Sequence, residues 1–140
     1  MKDLLKQIIL EQHETKHVSR THFVQRHIAD EWLETTEILI ISGIRRCGKS
    51  VLMQQIRDRL QEKDFFFNFD DERLAHFKLD NFQTLQECFV ELYGDQHTYY
   101  FDEIQNIEGW ERFVRRLYNA GNKIIITGSN ARMLSRELGT

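Results

Sequence analysis

The sequence predicts an α/β fold: an open parallel sheet with helices on both faces, preceded by a helical segment. Three observations carry that expectation. From Glu37 onward, short apolar runs alternate with amphipathic stretches. The four runs are nearly continuous in apolar residues, as strands are when both faces of their sheet are covered. The first run opens directly into a glycine-bearing loop followed by a helical pattern, the order in which right-handed crossovers build a parallel sheet.

Each element has its own justification. Leu4, Leu5, Ile8 and Ile9 recur at helical spacing and mark one face of a first helix. Phe23, Ile28 and Trp32 suggest a second, less regular one, so residues 1–36 read as a helical N-terminal extension and residues 37–140 as the core. In the core the expected order is strand Ile38–Ile41, helix Lys49–Gln61, strand Phe65–Phe69, helix Asn81–Leu92 and strand Thr98–Phe101. Helix Trp110–Tyr118, strand Lys123–Thr127 and a last helix from about Ala131 complete it. Apolar stripes are clearest at Phe82, Leu85, Phe89 and Leu92, and at Trp110, Phe113, Val114 and Leu117. No repeat, low-complexity tract or Gly/Ser linker divides the chain.

Composition bounds the function classes. With 19 Lys and Arg against 22 Asp and Glu among 140 residues, the net charge is −3, which gives no overall field for nucleic acid or an anionic membrane. Cys47 and Cys88 stand far apart with no CxxC, which excludes a disulfide framework and a zinc ribbon and fits a reducing cytoplasm. The N-terminal stretch is amphipathic, and no 18-residue apolar run occurs, so a soluble cytoplasmic protein is expected.

The chemistry begins at Gly43-Ile44-Arg45-Arg46-Cys47-Gly48-Lys49-Ser50, which reads GxxxxGK[ST] between a strand and a helix. Gly43 and Gly48 permit loop conformations that turn successive backbone N–H groups inward, where they cradle phosphate oxygens beside the positive end of the helix through Val51. Lys49 is expected to reach the β- and γ-phosphates, and the Ser50 hydroxyl to ligate the Mg²⁺ that bridges them. Arg45 and Arg46 either add positive charge for a polyphosphate or point outward to a neighbouring subunit or domain. Cys47 sits at a helix N-terminus beside Lys49, a setting that lowers a thiol pKa, or else simply fills a tight loop.

A second signal is Thr98-Tyr99-Tyr100-Phe101-Asp102-Glu103, a bulky buried strand ending in two carboxylates, the Walker B pattern. Asp102 suits the Mg²⁺ shell beside Ser50, and Glu103 suits the base that activates the attacking water. After strand Lys123–Thr127 come Gly128, Ser129 and Asn130; Ser129 or Asn130 either caps the next helix, or hydrogen-bonds the γ-phosphate or its attacking water, or does both.

These segments, with Ile104-Gln105-Asn106 and Gly109-Trp110-Glu111, resemble the AAA-like prokaryotic P-loop ATPases whose nucleotide domain is usually followed by a C-terminal domain of unknown function. The resemblance runs from about Glu37 to the C-terminus. It implies ATP as the nucleotide, and a sheet in which the strand ending at Thr127 lies between the phosphate-loop strand and the Asp102 strand. Glu108 stands where members often have proline, which loosens the turn before Trp110. Family members continue past Thr140 with a Gly-Arg segment, another strand, a lid and the C-terminal domain, so the chain is expected to be an N-terminal fragment with slow turnover. Strand Ile38–Ile41 then becomes a sheet edge open to self-association unless the preface covers it.

Other signals are weaker. His13, His17, His22 and His27 lack a fixed partner set for a metal and read as a solvated helix face; Arg112, Arg115 and Arg116 read as a solvated basic face. Asp70, Asp71 and Glu72 read as a solvated loop. The leading expectation is a Mg²⁺-dependent ATPase domain that drives or gates a partner domain, with a homo-oligomer possible. The alternatives are a nucleotide-binding switch with negligible turnover and a P-loop small-molecule kinase, while the missing NKxD segment disfavours a GTPase.

Overall fold

The computed structural model describes residues 1–19, 28–42, 48–60 and 64–128, with backbone only for 15–19. The elements are α1 (Lys2–Ser19), α2 (Asp30–Glu34), β1 (Leu39–Ser42), α3 (Lys49–Leu60), β2 (Phe65–Asn68), α4 (Asn81–Tyr93), β3 (Thr98–Asp102), α5 (Trp110–Asn119) and β4 (Lys123–Gly128). Short 3₁₀ turns at Glu72–Leu74 and Ile104–Asn106 follow β2 and β3. The helix expected from Ala131 lies outside the described residues.

The four strands form one parallel sheet in the order β1-β4-β3-β2. β4 therefore lies between β1 and β3, as the family resemblance implied. Alternation along the strands divides the core. Phe65, Phe67, Tyr99, Phe101, Ile124 and Ile126 face one side, packed with α1, α4 and α5, while Phe66, Tyr100, Ile125 and Ile41 face the other, with α2 and α3. This is why the runs look continuously apolar in sequence: each alternate residue meets a different layer of helices.

Aromatic side chains dominate the first layer. Phe82 stacks on Phe113 at 4.5 Å and Phe65 on Phe89 at 4.8 Å, which ties α4 to α5 and to the sheet. Gly109 starts α5 with φ +83°, and a Cβ there would come within 3.3 Å of the Leu79 side chain. On the second layer Arg57, near the end of α3, makes a buried two-point ion pair with Asp64, just before β2, at 2.6 and 2.9 Å. Its guanidinium also lies 4.6 Å from the Phe66 ring centre.

One expectation needs correction. The second preface helix is a single turn, α2, bounded by extended backbone at Ala29 and Thr35. Trp32 lies in it, Ile28 precedes it, and Phe23 lies outside the described residues. β1 is a terminal strand of the sheet, as expected, and α1 covers the opposite edge, β2. Leu5, Ile8 and Ile9 enter the core beside β2 and α4, and the Gln12 carboxamide donates to Asn68 O at 3.0 Å and accepts from Asn68 N–H at 2.9 Å. In a parallel strand both backbone groups of one residue point to the same side, and those of Asn68 face away from β3, so the Gln12 carboxamide acts as one residue of a neighbouring strand. Lys2 and Lys6 pair with Glu91 of α4, and Glu11 with Arg73. β1 remains the terminal strand on the other side.

Candidate functional site

The site forms where the carboxyl end of β3 meets the first turn of α3. Gly48 has φ +82°, a conformation that favours glycine, and its carbonyl accepts the first helical bond, from Leu52 N–H at 2.9 Å. The amides of Lys49, Ser50 and Val51 therefore precede the helical ladder, as anion-binding amides at a helix start do. Gly43, Ile44, Arg45, Arg46, Cys47, Ser129 and Asn130 lie outside the described residues.

Two contacts join the phosphate-loop side to the acids. Lys49 Nζ is 2.7 Å from Glu103 Oε1, with the two side chains only 5% and 9% exposed. The Ser50 hydroxyl donates to Asp102 Oδ2 at 2.7 Å. The four residues singled out from two distant motifs thus form one cluster.

Asp102 is 2% exposed. Burial pushes its carboxyl pKa up, against the opposing effect of the hydroxyls of Thr127 and Ser50, which donate to it. Thr127, fully buried, donates to Asp102 Oδ1 and accepts the backbone N–H of Glu103 at 2.9 Å. Glu103 itself adopts φ +55°, ψ +42°, the left-handed region that side-chain-bearing residues seldom occupy. Gln105 Nε2 donates to Glu103 Oε2 at 2.6 Å.

Sequence reasoning missed Thr127 and Gln105 as site residues. Thr127 is placed by the strand register, which pairs Phe101 with Ile126 and so puts Thr127 level with Asp102. Gln105 stood in the stretch that carries the family resemblance but had no role there, because its approach to Glu103 depends on the left-handed turn at that residue.

The donor set fits Mg²⁺. Ser50 and Asp102 offer adjacent hard oxygens, and among the described residues no group of three or more His, Cys, Asp and Glu side chains could hold a metal alone. Mg²⁺ bound through one carboxylate and a hydroxyl keeps several waters and takes its other ligands from phosphates. His13, for its part, lies against Tyr93 with ring centres 5.7 Å apart. Asp71 caps the 3₁₀ turn after β2 by accepting from Arg73 N–H, and Arg116 reaches Gln83 and Gln86 of α4. No described helix is long and apolar enough to cross a membrane.

Comparison with known proteins shows the family of the chain. The chain is 39% identical over 105 residues to an uncharacterized protein of Methanocaldococcus jannaschii, covering 74% of this chain and 24% of that protein. It is 40% identical over 133 residues to an uncharacterized protein of Haemophilus influenzae, covering 88% and 32%. A second uncharacterized Methanocaldococcus jannaschii protein is 31% identical over 112 residues, covering 73% and 24%. The chain thus spans between a quarter and a third of the length of the curated relatives it matches. No solved structure matches it significantly. The model of the AAA domain family matches residues 35–140, which takes in the whole sheet, the glycine loop and both acids, and the chain belongs to that family of nucleotide-binding domains.

Proposed function

We propose that the chain binds ATP with Mg²⁺ and hydrolyses it, coupling the γ-phosphate state to a partner domain or protein. The observation that carries the reading is the double contact of Lys49 with Glu103 and Ser50 with Asp102 at a helix start. Phosphate-loop chemistry needs a cation, a hydroxyl, a metal-shell carboxylate and a base within one shell, and these four side chains supply each.

Ser50 and Asp102 would hold Mg²⁺, which when bound neutralises charge on the β- and γ-phosphates. The chain's own residues do the rest. Lys49 exchanges Glu103 for the incoming phosphate oxygens, one anion for another. That exchange frees Glu103 Oε1 to accept a proton from water. Ser129 or Asn130 is assigned to the γ-phosphate or the attacking water, and the amides from Gly43 to Val51 to the phosphate cradle. An arginine supplied by a partner or a further domain would raise turnover by roughly 10³- to 10⁵-fold.

The test is direct. Lys49→Ala should abolish binding of a fluorescent ATP analogue in a folded protein, and Glu103→Gln should retain binding while reducing phosphate release under single-turnover conditions. Undiminished affinity in Lys49→Ala refutes nucleotide binding by this loop. Measurable release that is equally fast in the parent and in Glu103→Gln refutes the base, and no release above the protein-free background from the parent itself leaves a nucleotide-binding switch as the function.

A further inference from the structure

The resting site holds the proposed base from three directions. Lys49 Nζ takes Oε1, Gln105 Nε2 takes Oε2, and Thr127 accepts the backbone N–H of the same residue. Only the first of these is lost when a nucleotide arrives, because Lys49 is the group the phosphates claim. The Gln105 contact to Oε2 stays in place, and a general base must keep one oxygen within hydrogen-bond reach of its proton. Thr127 fixes the backbone but not the side-chain torsions.

We propose that Gln105 is the positioning residue of this site: its carboxamide N–H keeps the Glu103 carboxylate oriented once Lys49 has moved to the phosphates. The inference rests on the ATPase reading above and adds to it the residue that holds the base. Three facts support it. The contact, at 2.6 Å, is short for an N–H···O bond and has an ionised acceptor, the class that is stronger than neutral pairs. The amide orientation is dictated by chemistry, since the opposite assignment would set Gln105 Oε1 against a carboxylate oxygen. Gln105 also lies in the 3₁₀ turn Ile104–Asn106, which is anchored by buried Ile104 and by Asn106 N–H donating to Glu103 O at 3.3 Å, so its backbone moves with that of Glu103. The buried Gln105 Oε1 has no hydrogen-bond partner among the described residues, so the side chain is held at one end only, by the base itself.

The test uses Gln105→Met, which keeps length and removes the donor, and Gln105→His, which restores one. In single-turnover phosphate release from Mg-ATP, Gln105→Met should lower the rate about tenfold while ATP affinity stays within about threefold, the signature of a lost transition-state interaction. Gln105→His should recover part of the rate. In a Glu103→Gln background Gln105→Met should have no further effect, because there is no base left to position. A parent-like rate in Gln105→Met, or an equal loss in the Glu103→Gln background, overturns the assignment. A second readout needs no turnover: with Mg-ADP bound, the Gln105 side-chain amide protons should remain shifted and slow to exchange in nuclear magnetic resonance spectra, and lose both features in Glu103→Met, which removes the acceptor. Gln105 protons that become solvent-like on Mg-ADP binding overturn the proposal even if the chain hydrolyses nothing. A protein that fails to bind nucleotide at all defeats the ATPase reading instead.

Discussion

In the nucleotide-free protein, Lys49 and Glu103 should be strongly coupled. Both side chains are more than nine-tenths buried, and their charged atoms are 2.7 Å apart. Removing one partner of such a pair leaves a buried charge uncompensated, which costs about 3–5 kcal/mol, whereas removing both leaves none. Lys49→Met should therefore destabilise by about that amount. Glu103→Gln should fall nearer the lower bound, because a carboxamide oxygen still accepts from the ammonium. The double variant should be more stable than the sum of the singles predicts, by about 2 kcal/mol or more. Urea unfolding provides the assay: with a slope of about 2 kcal/mol per molar, a 3 kcal/mol loss moves the midpoint down by about 1.5 M. Trp110 and Trp32 pack on opposite faces of the sheet, so their fluorescence reports both layers. Additive effects, with coupling below about 0.5 kcal/mol, would show that the pair is not formed in solution.

Two further predictions follow from other contacts. Burial raises the pKa of Asp102 in the folded state, so its ionisation opposes folding, and the parent should lose stability as pH rises through that raised value. Asp102→Asn, which resembles the protonated form, should raise the melting temperature of the nucleotide-free protein near neutrality, and the gain should vanish below about pH 4, where the acid is protonated in both states; a gain that persists there contradicts the assignment. Gln12→Met removes both hydrogen bonds to Asn68 and should cost about 1–3 kcal/mol, with faster hydrogen exchange at the Asn68 amide. Unchanged exchange at that amide would mean the β2 edge is closed by something else.

Much of this was legible in the sequence because it rests on periodicity and on motif spacing. The described strands and helices of the core follow their apolar patterns to within a residue or two, and Lys49, Ser50, Asp102 and Glu103 meet in one cluster. What was not legible depends on long-range geometry. The N-terminal helix shows the same apolar stripe whichever edge of the sheet it covers, and Gln12, an unremarkable residue in sequence, meets Asn68 on β2 only after the chain has folded back over 56 positions. The second preface segment failed for a different reason: Ile28 and Trp32 are apolar because they pack beneath the sheet, and one turn of helix suffices to place them. Thr127 looked like strand filler because a β-branched residue is favoured in strands whether or not its hydroxyl is used.

The left-handed conformation of Glu103 explains how two adjacent acids come to serve one site. In an extended strand successive side chains point to opposite faces, so if β3 ran on through Glu103, only one of the two carboxylates would face the first turn of α3. The break at Glu103, with φ +55°, brings its carboxylate back to Lys49 while Asp102 keeps its place against Ser50. Such a conformation costs roughly 1–2 kcal/mol in a residue with a Cβ, and the Thr127 hydroxyl, Lys49 and Gln105 each supply a contact that offsets part of it. A glycine at 103 would remove the backbone cost but also the base, and an extended residue would keep the base on the wrong side of the sheet. The strain is thus the geometric condition for the acid proposed for the metal shell and the acid proposed as base to be neighbours both in sequence and in space.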